Sequence, residues 1–199
     1  SPTPPAGLAH PKAVVVHPVT GRVYVTSRDN NRVFMLEGIS LAELQWVGVG
    51  REPWGIDLYV PTNKLYVANF ASGDVHVLDA TTLAVLRVVA VGPKPTHLRV
   101  NPATGKVYVV LYGSSQLAVI DAATDTLEVR VPTGGTGSWG LAVNPGLNRV
   151  YVSNRDSGTV TTLDGTLGHG LVASQTACGG GAPYGLAFNP ANSRLYVAC

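Results

Sequence analysis

Residues 62–69 read TNKLYVAN, and four other stretches of the chain read almost the same: TGRVYVTS at 20–27, TGKVYVVL at 104–111, LNRVYVSN at 147–154 and NSRLYVAC at 192–199. A recurring stretch is tested first for its period, because repeat spacing dictates architecture. The tyrosines fall at Tyr24, Tyr66, Tyr108, Tyr151 and Tyr196, separated by 42, 42, 43 and 45 residues. The likeness extends upstream, in AVVVHPVTGRVYV, GIDLYVPTNKLYV, HLRVNPATGKVYV, GLAVNPGLNRVYV and GLAFNPANSRLYV. It also extends downstream. Twelve residues after the tyrosine come Leu36, Leu78, Ile120 and Leu163, each followed by an acid: Glu37, Asp79, Asp121 and Asp164.

Each unit divides into four short apolar or alternating runs bounded by Gly, Pro, Asn and Asp, which is the pattern of strands. Strand a is like GIDLY, strand b like KLYVAN, strand c like DVHVLD and strand d like LRVVAV. No segment carries a helical period. Four-stranded units repeating about every 42 residues predict a β-propeller, whose radial repetition protects its strand edges. The repeats are expected at about 11–52, 53–94, 95–137 and 138–182, with strands a and b of a fifth at 183–199. Gly21, Asn63, Gly105, Asn148 and Ser193 occupy the a–b turn. Gly and Asn there tolerate a positive φ, and Ser193 fits least well.

The pattern PxG...NPxTGxxYVxN...VxVxD resembles the YVTN family of β-propellers, over residues 11–199. That resemblance implies an extracytoplasmic or surface-layer type of protein from bacteria or archaea, and it implies no particular activity. Four full units with strands a and b of a fifth lead us to expect an arc of a larger ring. Its open blade face would be covered by more of a longer chain or by another subunit. A seven-bladed ring would take roughly 300 residues.

Composition narrows the function classes. Charged residues make up 13% of the chain and the formal net charge is +2, with no basic run. Neither nucleic acid nor an anionic membrane is an expected partner. No apolar run approaches the ~18 residues of a membrane span. The opening SPTPPAGLAHP is expected to be a Pro-rich linker over 1–10, following a removed signal or anchor. Cys178 and Cys199 form no metal motif. Their even number permits one disulfide, but we read them as two unpaired thiols.

A basic residue opens every strand b: Arg22, Lys64, Lys106, Arg149 and Arg194. Antiparallel pairing of b with c sets the first four opposite the acids 15 residues later. We therefore expect the cross-strand pairs Arg22–Glu37, Lys64–Asp79, Lys106–Asp121 and Arg149–Asp164, rather than an anion-binding ring.

Three groups of residues are site candidates. The first positions of strand a are Lys12, Trp54, Thr96, Trp139 and Tyr184. The aromatics could contact a ligand or a partner protein; the favoured reading is packing between blades, since Gly55, Gly140 and Gly185 follow them. In mid-strand a, Asp57, His97 and Arg99 break the repeat. They read as an inter-blade ion pair beside a space-filling histidine, or as a polar channel site. On the b–c loops lie Arg28, Asp29, Arg155, Asp156 and Tyr112, as solvated turns or protein contacts.

There is no GxSxG, HExxH or P-loop, and GGTGSWG joins two strands with no helix to hold a phosphate. The five histidines occupy different repeat positions, and His17 replaces the Asn of the NP turn. We expect no metal, no cofactor and no catalytic residue. The first expectation for function is a non-catalytic protein-binding or structural module, outside the cytoplasm, acting through its loop face. The alternative is a lactonase- or lyase-like channel enzyme using Asp57, His97 and Arg99.

Overall fold

The computed structural model describes residues 5, 7–166 and 168–199. Residues 1–4 and 6 of the Pro-rich opening therefore lie outside the described residues. Among the described residues, eighteen short strands form four four-stranded antiparallel sheets and one two-stranded sheet. Sheet 1 is β1 (Pro11–Val16), β2 (Val23–Ser27), β3 (Arg32–Leu36) and β4 (Glu43–Gly48). Sheet 2 is β5 (Pro53–Tyr59), β6 (Lys64–Asn69), β7 (Asp74–Asp79) and β8 (Val85–Ala90). Sheet 3 is β9 (Pro95–Asn101), β10 (Lys106–Leu111), β11 (Gln116–Asp121) and β12 (Thr126–Pro132). Sheet 4 is β13 (Ser138–Asn144), β14 (Arg149–Asn154), β15 (Thr159–Asp164) and β16 (Leu171–Thr176). The fifth pairs β17 (Leu186–Asn189) with β18 (Arg194–Val197). In each sheet the strands lie side by side in chain order. The a–b and c–d turns therefore share one end of a sheet, and the b–c loop lies at the other.

In sheets 1 to 3 the inner strands b and c are largely buried and read as nearly continuous apolar runs, whereas β15 and β18 are less buried and strands d such as β8 are mostly exposed. Two compact units divide between Leu98 and Arg99. In the first, Tyr24, Val33, Ile56, Leu65, Val67 and Leu78 build one core. In the second, Tyr108, Val110, Leu117, Leu141, Val152 and Leu163 build another.

Two irregularities recur. Strand d bulges opposite the leucine or isoleucine of strand c: Leu36 faces Glu43, Leu78 faces Val85, Ile120 faces Leu127 and Leu163 faces Leu171. Strand a bulges near its start in sheets 1, 2 and 4. Each bulge frees backbone groups from the ladder and re-aims the strand.

The a–b turn needs a left-handed backbone in every copy. Gly21, Asn63, Gly105, Asn148 and Ser193 have φ of 71, 53, 65, 48 and 53°. Ser193 thus adopts the conformation that its side chain favours least of the five.

The cysteines correct the sequence reading. Cys178 and Cys199 form a disulfide, with Cα atoms 5.6 Å apart. It ties the turn after β16 to the residues following β18.

Candidate functional site

Within each unit, side chains of the repeated motif fasten one sheet to the next. In the first unit the Tyr24 hydroxyl donates to the carbonyl of Ala80. In the second the Tyr108 hydroxyl donates to Gly165 at 3.4 Å. His17 accepts the amides of Val19 and Thr20 at Nδ1 (3.2 and 3.4 Å), and its Nε2 lies 3.2 Å from Asn63 Oδ1 in sheet 2. Asn101 does the same work in the second unit, accepting from Ala103 and donating to Asn148 Oδ1 at 2.9 Å. His17 is therefore a bridge between sheets as well as a turn residue.

A further relay starts at the bulge of strand a. The amide of Ala13 donates to Thr26 Oγ1 at 3.0 Å, and that hydroxyl donates to the carbonyl of Trp54 at 2.9 Å. The amide of Gly140 donates to Ser153 Oγ at 2.8 Å, which donates to the carbonyl of Tyr184 at 2.6 Å. A hydroxyl on strand b thus fixes the first aromatic residue of the next strand a. The glycines after those aromatics permit the approach. A Cβ on Gly55 would lie 2.7 Å from the Thr96 carbonyl oxygen, and one on Gly140 would lie 2.1 Å from that of Tyr184.

The charged pairs follow the expected register in three sheets, where Lys64 faces Asp79, Lys106 faces Asp121 and Arg149 faces Asp164. Lys106 Nζ lies 2.8 Å from Asp121 and 2.6 Å from Glu128, and Arg149 lies 2.8 Å from Asp164. Sheet 1 departs. Arg22 Nη1 donates to the carbonyl of Thr81 in sheet 2 at 3.2 Å, while Glu37 accepts the amides of Ile39 and Ser40 and the Ser40 hydroxyl.

Glu37 displays a second role common to all four acids. Asp79 accepts the amides of Thr81 and Thr82, Asp121 those of Ala123 and Thr124, and Asp164 that of Thr166. Each acid clasps its own c–d turn. Bonds to Ser40, Thr82 and Thr166 hold Glu37, Asp79 and Asp164 below the usual carboxylate range, whereas for Asp121 the Lys106 ammonium is the leading cause.

At the opposite ends of the sheets, aromatic and cationic side chains meet. In the first unit Lys12 Nζ sits 4.7 Å from the ring centroid of Trp54, which stacks on Phe70 at 5.2 Å. Lys94 approaches the other partner, 5.9 Å from the Phe70 centroid. Arg28 lies 3.6 Å from Glu52, and Asp29 pairs with His10, which holds the Asp29 carboxyl below its ordinary range. Arg28, Asp29, Asn31, Arg51, Glu52 and Ala71 line a cleft of about 310 Å³.

In the second unit the arrangement is tighter. Trp139 packs edge-on against both Tyr112 (5.5 Å) and Tyr184 (6.3 Å). The Arg155 guanidinium lies 5.2 Å from the Tyr112 centroid and 5.4 Å from that of Trp139. Its Nη2 donates to the Tyr112 hydroxyl and its Nε to Asp156 Oδ1, both at 2.8 Å. The Asp156 carboxylate is the main reason that Arg155 is held above even its usual range. The Arg155 side chain is 27% exposed and Tyr184 is 45% exposed.

The sequence candidates are thus partly brought together. Tyr112, Trp139, Arg155, Asp156 and Tyr184 form one cluster, while Arg28 and Asp29 belong to another with Glu52 and Arg51. Packing between sheets and exposure at the sheet end coexist, so the two readings of the aromatics are not exclusive. Phe70 and Lys94 were missed. Phe70 stands four residues after its tyrosine, the register of Arg28, Tyr112 and Arg155, and that register was the available signal.

The channel candidates are placed differently. Asp57 faces Tyr66 in the β5–β6 ladder and accepts the Leu58 amide at 2.9 Å. His97 and Arg99 share one face of β9, Arg99 being exposed. The boundary between units runs between Leu98 and Arg99, so Asp57 and His97 belong to the first unit and Arg99 to the second. Among the described residues, no group of three or more His, Cys, Asp or Glu could hold a metal ion. Among them, too, no helix is long and apolar enough to cross a membrane.

No family model and no curated protein matches the chain. Solved structures do. One is Kuenenia stuttgartiensis hydrazine synthase, with a TM-score of 0.88 at 17% identity, covering 96% of this chain and 56% of that one. Another is a functionally unknown protein from Desulfotomaculum acetoxidans DSM 771, with a TM-score of 0.83 at 12% identity, covering 97% and 63%. A third is the β-propeller domain of Myceliophteria thermophila Cps50 (Swd1), with a TM-score of 0.79 at 13% identity, covering 96% and 63%. The chain spans between 56% and 63% of the length of these structures. At such identities the likeness speaks to fold alone. The repeated four-stranded antiparallel sheets are propeller blades, and the chain has a β-propeller fold.

Proposed function

We propose that the chain is a non-catalytic binding module of the YVTN-repeat type, working outside the cytoplasm and engaging a partner protein through the b–c ends of its blades. The observation that carries this reading is the Tyr112–Trp139–Tyr184–Arg155 cluster. Tyrosine, tryptophan and arginine are the side chains that dominate binding energy at protein interfaces. Here they are held in place before any partner arrives, which lowers the entropy lost on association.

The Cys178–Cys199 disulfide supports the compartment. Structural disulfides persist in oxidising surroundings and are rare in the cytosol. The test is site-directed photo-cross-linking in the native host. A photo-reactive residue at Ser114 or Ser157, on b–c loops, is expected to capture a partner protein. The same residue at Thr104 or Leu147, on a–b turns, is expected to capture none. Cross-links arising from the turn positions alone would overturn the proposal.

A further inference from the structure

Arg155 is built for more than packing. Its guanidinium is laid against two aromatic rings, and two of its N–H groups are taken, by Tyr112 and Asp156. A guanidinium carries five N–H donors in one plane. The pair on the Nη1–Nη2 edge, where a carboxylate binds in the two-pronged manner, still has the Nη1 donors and one Nη2 donor to offer. Asp156 engages Nε alone, so it does not occupy that edge.

The surroundings select the rest of the ligand. Tyr184 is 45% exposed beside Trp139, giving an apolar shelf next to the guanidinium edge. The Ser153 relay holds the backbone of Tyr184, and the edge-on contact with Trp139 orients its ring. Gly137 closes against Asp156: a Cβ there would fall 2.3 Å from the carboxylate carbon. Asp156 lies within hydrogen-bond reach of Arg155, its Oδ1 2.8 Å from Nε, with its side chain 47% exposed.

We propose that this end of the second unit is a recognition site for an acidic segment of the partner protein. An aspartate or glutamate of that segment pairs with the Nη1–Nη2 edge of Arg155, and a neighbouring apolar or aromatic side chain lies on Trp139 and Tyr184. The inference rests on the protein-binding reading above and names its chemistry. The unused donors choose the occupant: Asp156 counters Arg155 at Nε, while the Nη1 donors of the guanidinium have no acceptor among the described residues, and a carboxylate is the acceptor that fits the planar fork.

The test is a binding titration of the whole chain, disulfide intact, with capped peptides that place an acidic residue beside tyrosine or phenylalanine. The matched asparagine and glutamine peptides, sodium acetate and glucuronate are run beside them. Acidic peptides are expected to bind at least about tenfold more tightly than their amide counterparts. Arg155→Lys keeps the charge but loses the planar fork, and Arg155→Gln loses both; each is expected to weaken binding by about tenfold or more at a temperature where circular dichroism shows the variant fully folded. Equal binding of acid and amide peptides, binding unaffected by both variants, or no peptide binding would each overturn the inference. So would saturation by acetate or glucuronate without any preference for peptide, which would mark a small-anion or sugar-acid site. If the peptides fail while Ser114 and Ser157 still cross-link to a protein, only the acidic chemistry falls. If those cross-links fail as well, the binding reading falls with it.

Discussion

Ser153 Oγ donates to the carbonyl of Tyr184 at 2.6 Å, and the same oxygen accepts the amide of Gly140 at 2.8 Å. One buried hydroxyl therefore satisfies a donor left over by a bulge and an acceptor on the next blade. It also sets the backbone from which an interface residue projects. Ser153→Ala leaves both backbone groups without this partner. We expect a loss of about 1–3 kcal/mol in stability by chemical denaturation. Ala68 and Val110 occupy the same register in the neighbouring sheets. The alanine itself is thus compatible with the strand, and the cost traces to the lost bonds.

Cys199 is joined to Cys178 at the register where Asn69 and Asn154 stand. Those asparagines are buried against the loop that leads into strand a of their own sheet. A Cβ on Gly50 or Gly135 would lie 2.7 or 2.5 Å from them. The disulfide is the covalent counterpart of that non-covalent staple, closing a loop of sequence separation 21. Such a loop corresponds to about 3 kcal/mol in the chain-entropy model. Reduction, or Cys199→Ser, is expected to speed amide hydrogen exchange in β17 and β18 by about two orders of magnitude while β10 and β11 keep their protection. Uniform acceleration in all sheets would contradict this local role.

The Tyr108 hydroxyl is buried and pushed up to about 12 from its ordinary 10.0, first because burial disfavours the phenolate. A group whose folded pKa lies above its unfolded value contributes stability that is whole below the unfolded pKa. That contribution is lost as pH rises towards the folded one. Stability is therefore expected to fall between about pH 10 and pH 12. Tyr108→Phe also removes the bond to Gly165, at a cost of about 1–2 kcal/mol near neutral pH. The variant should show a shallower alkaline decline than the parent. Equal slopes in melting temperature against pH would refute the assignment.

The period, the strand pattern and the turn residues made the blades legible in the sequence, because hydrophobic repetition is a property of residue order. The side-chain roles were less legible. Arg22 and Glu37 have the same spacing as Lys106 and Asp121, yet Arg22 crosses to Thr81 while Lys106 meets its acid. Spacing fixes the register of two strands; it does not reveal what an adjacent blade offers to a long side chain. The clasp of each acid on its c–d turn did leave a trace, in Ser40, Thr82, Thr124 and Thr166 two or three residues on. Thr26 and Ser153 were visible as the third letter of the signature, but their relay depends on a bulge that no residue type announces. The disulfide needed three-dimensional proximity, which a pair of cysteines in sequence cannot supply.

Ser193 is the position where the repeat and its own chemistry disagree. Its φ of 53° matches Gly21, Asn63, Gly105 and Asn148, but a serine there bears the steric cost of the left-handed region. A glycine at this site loses that cost while losing more freedom on folding, and the two terms oppose each other. Asparagine is used at the same register by Asn63 and Asn148 and tolerates the conformation better than serine. Ser193→Asn is expected to slow hydrogen exchange in β17 and β18, by an amount equivalent to roughly 0.5 kcal/mol. Ser193→Val, branched at Cβ, should do the opposite and by more. If the valine variant exchanged as slowly as the asparagine variant, the a–b turn of the fifth sheet would not have the left-handed geometry described for it.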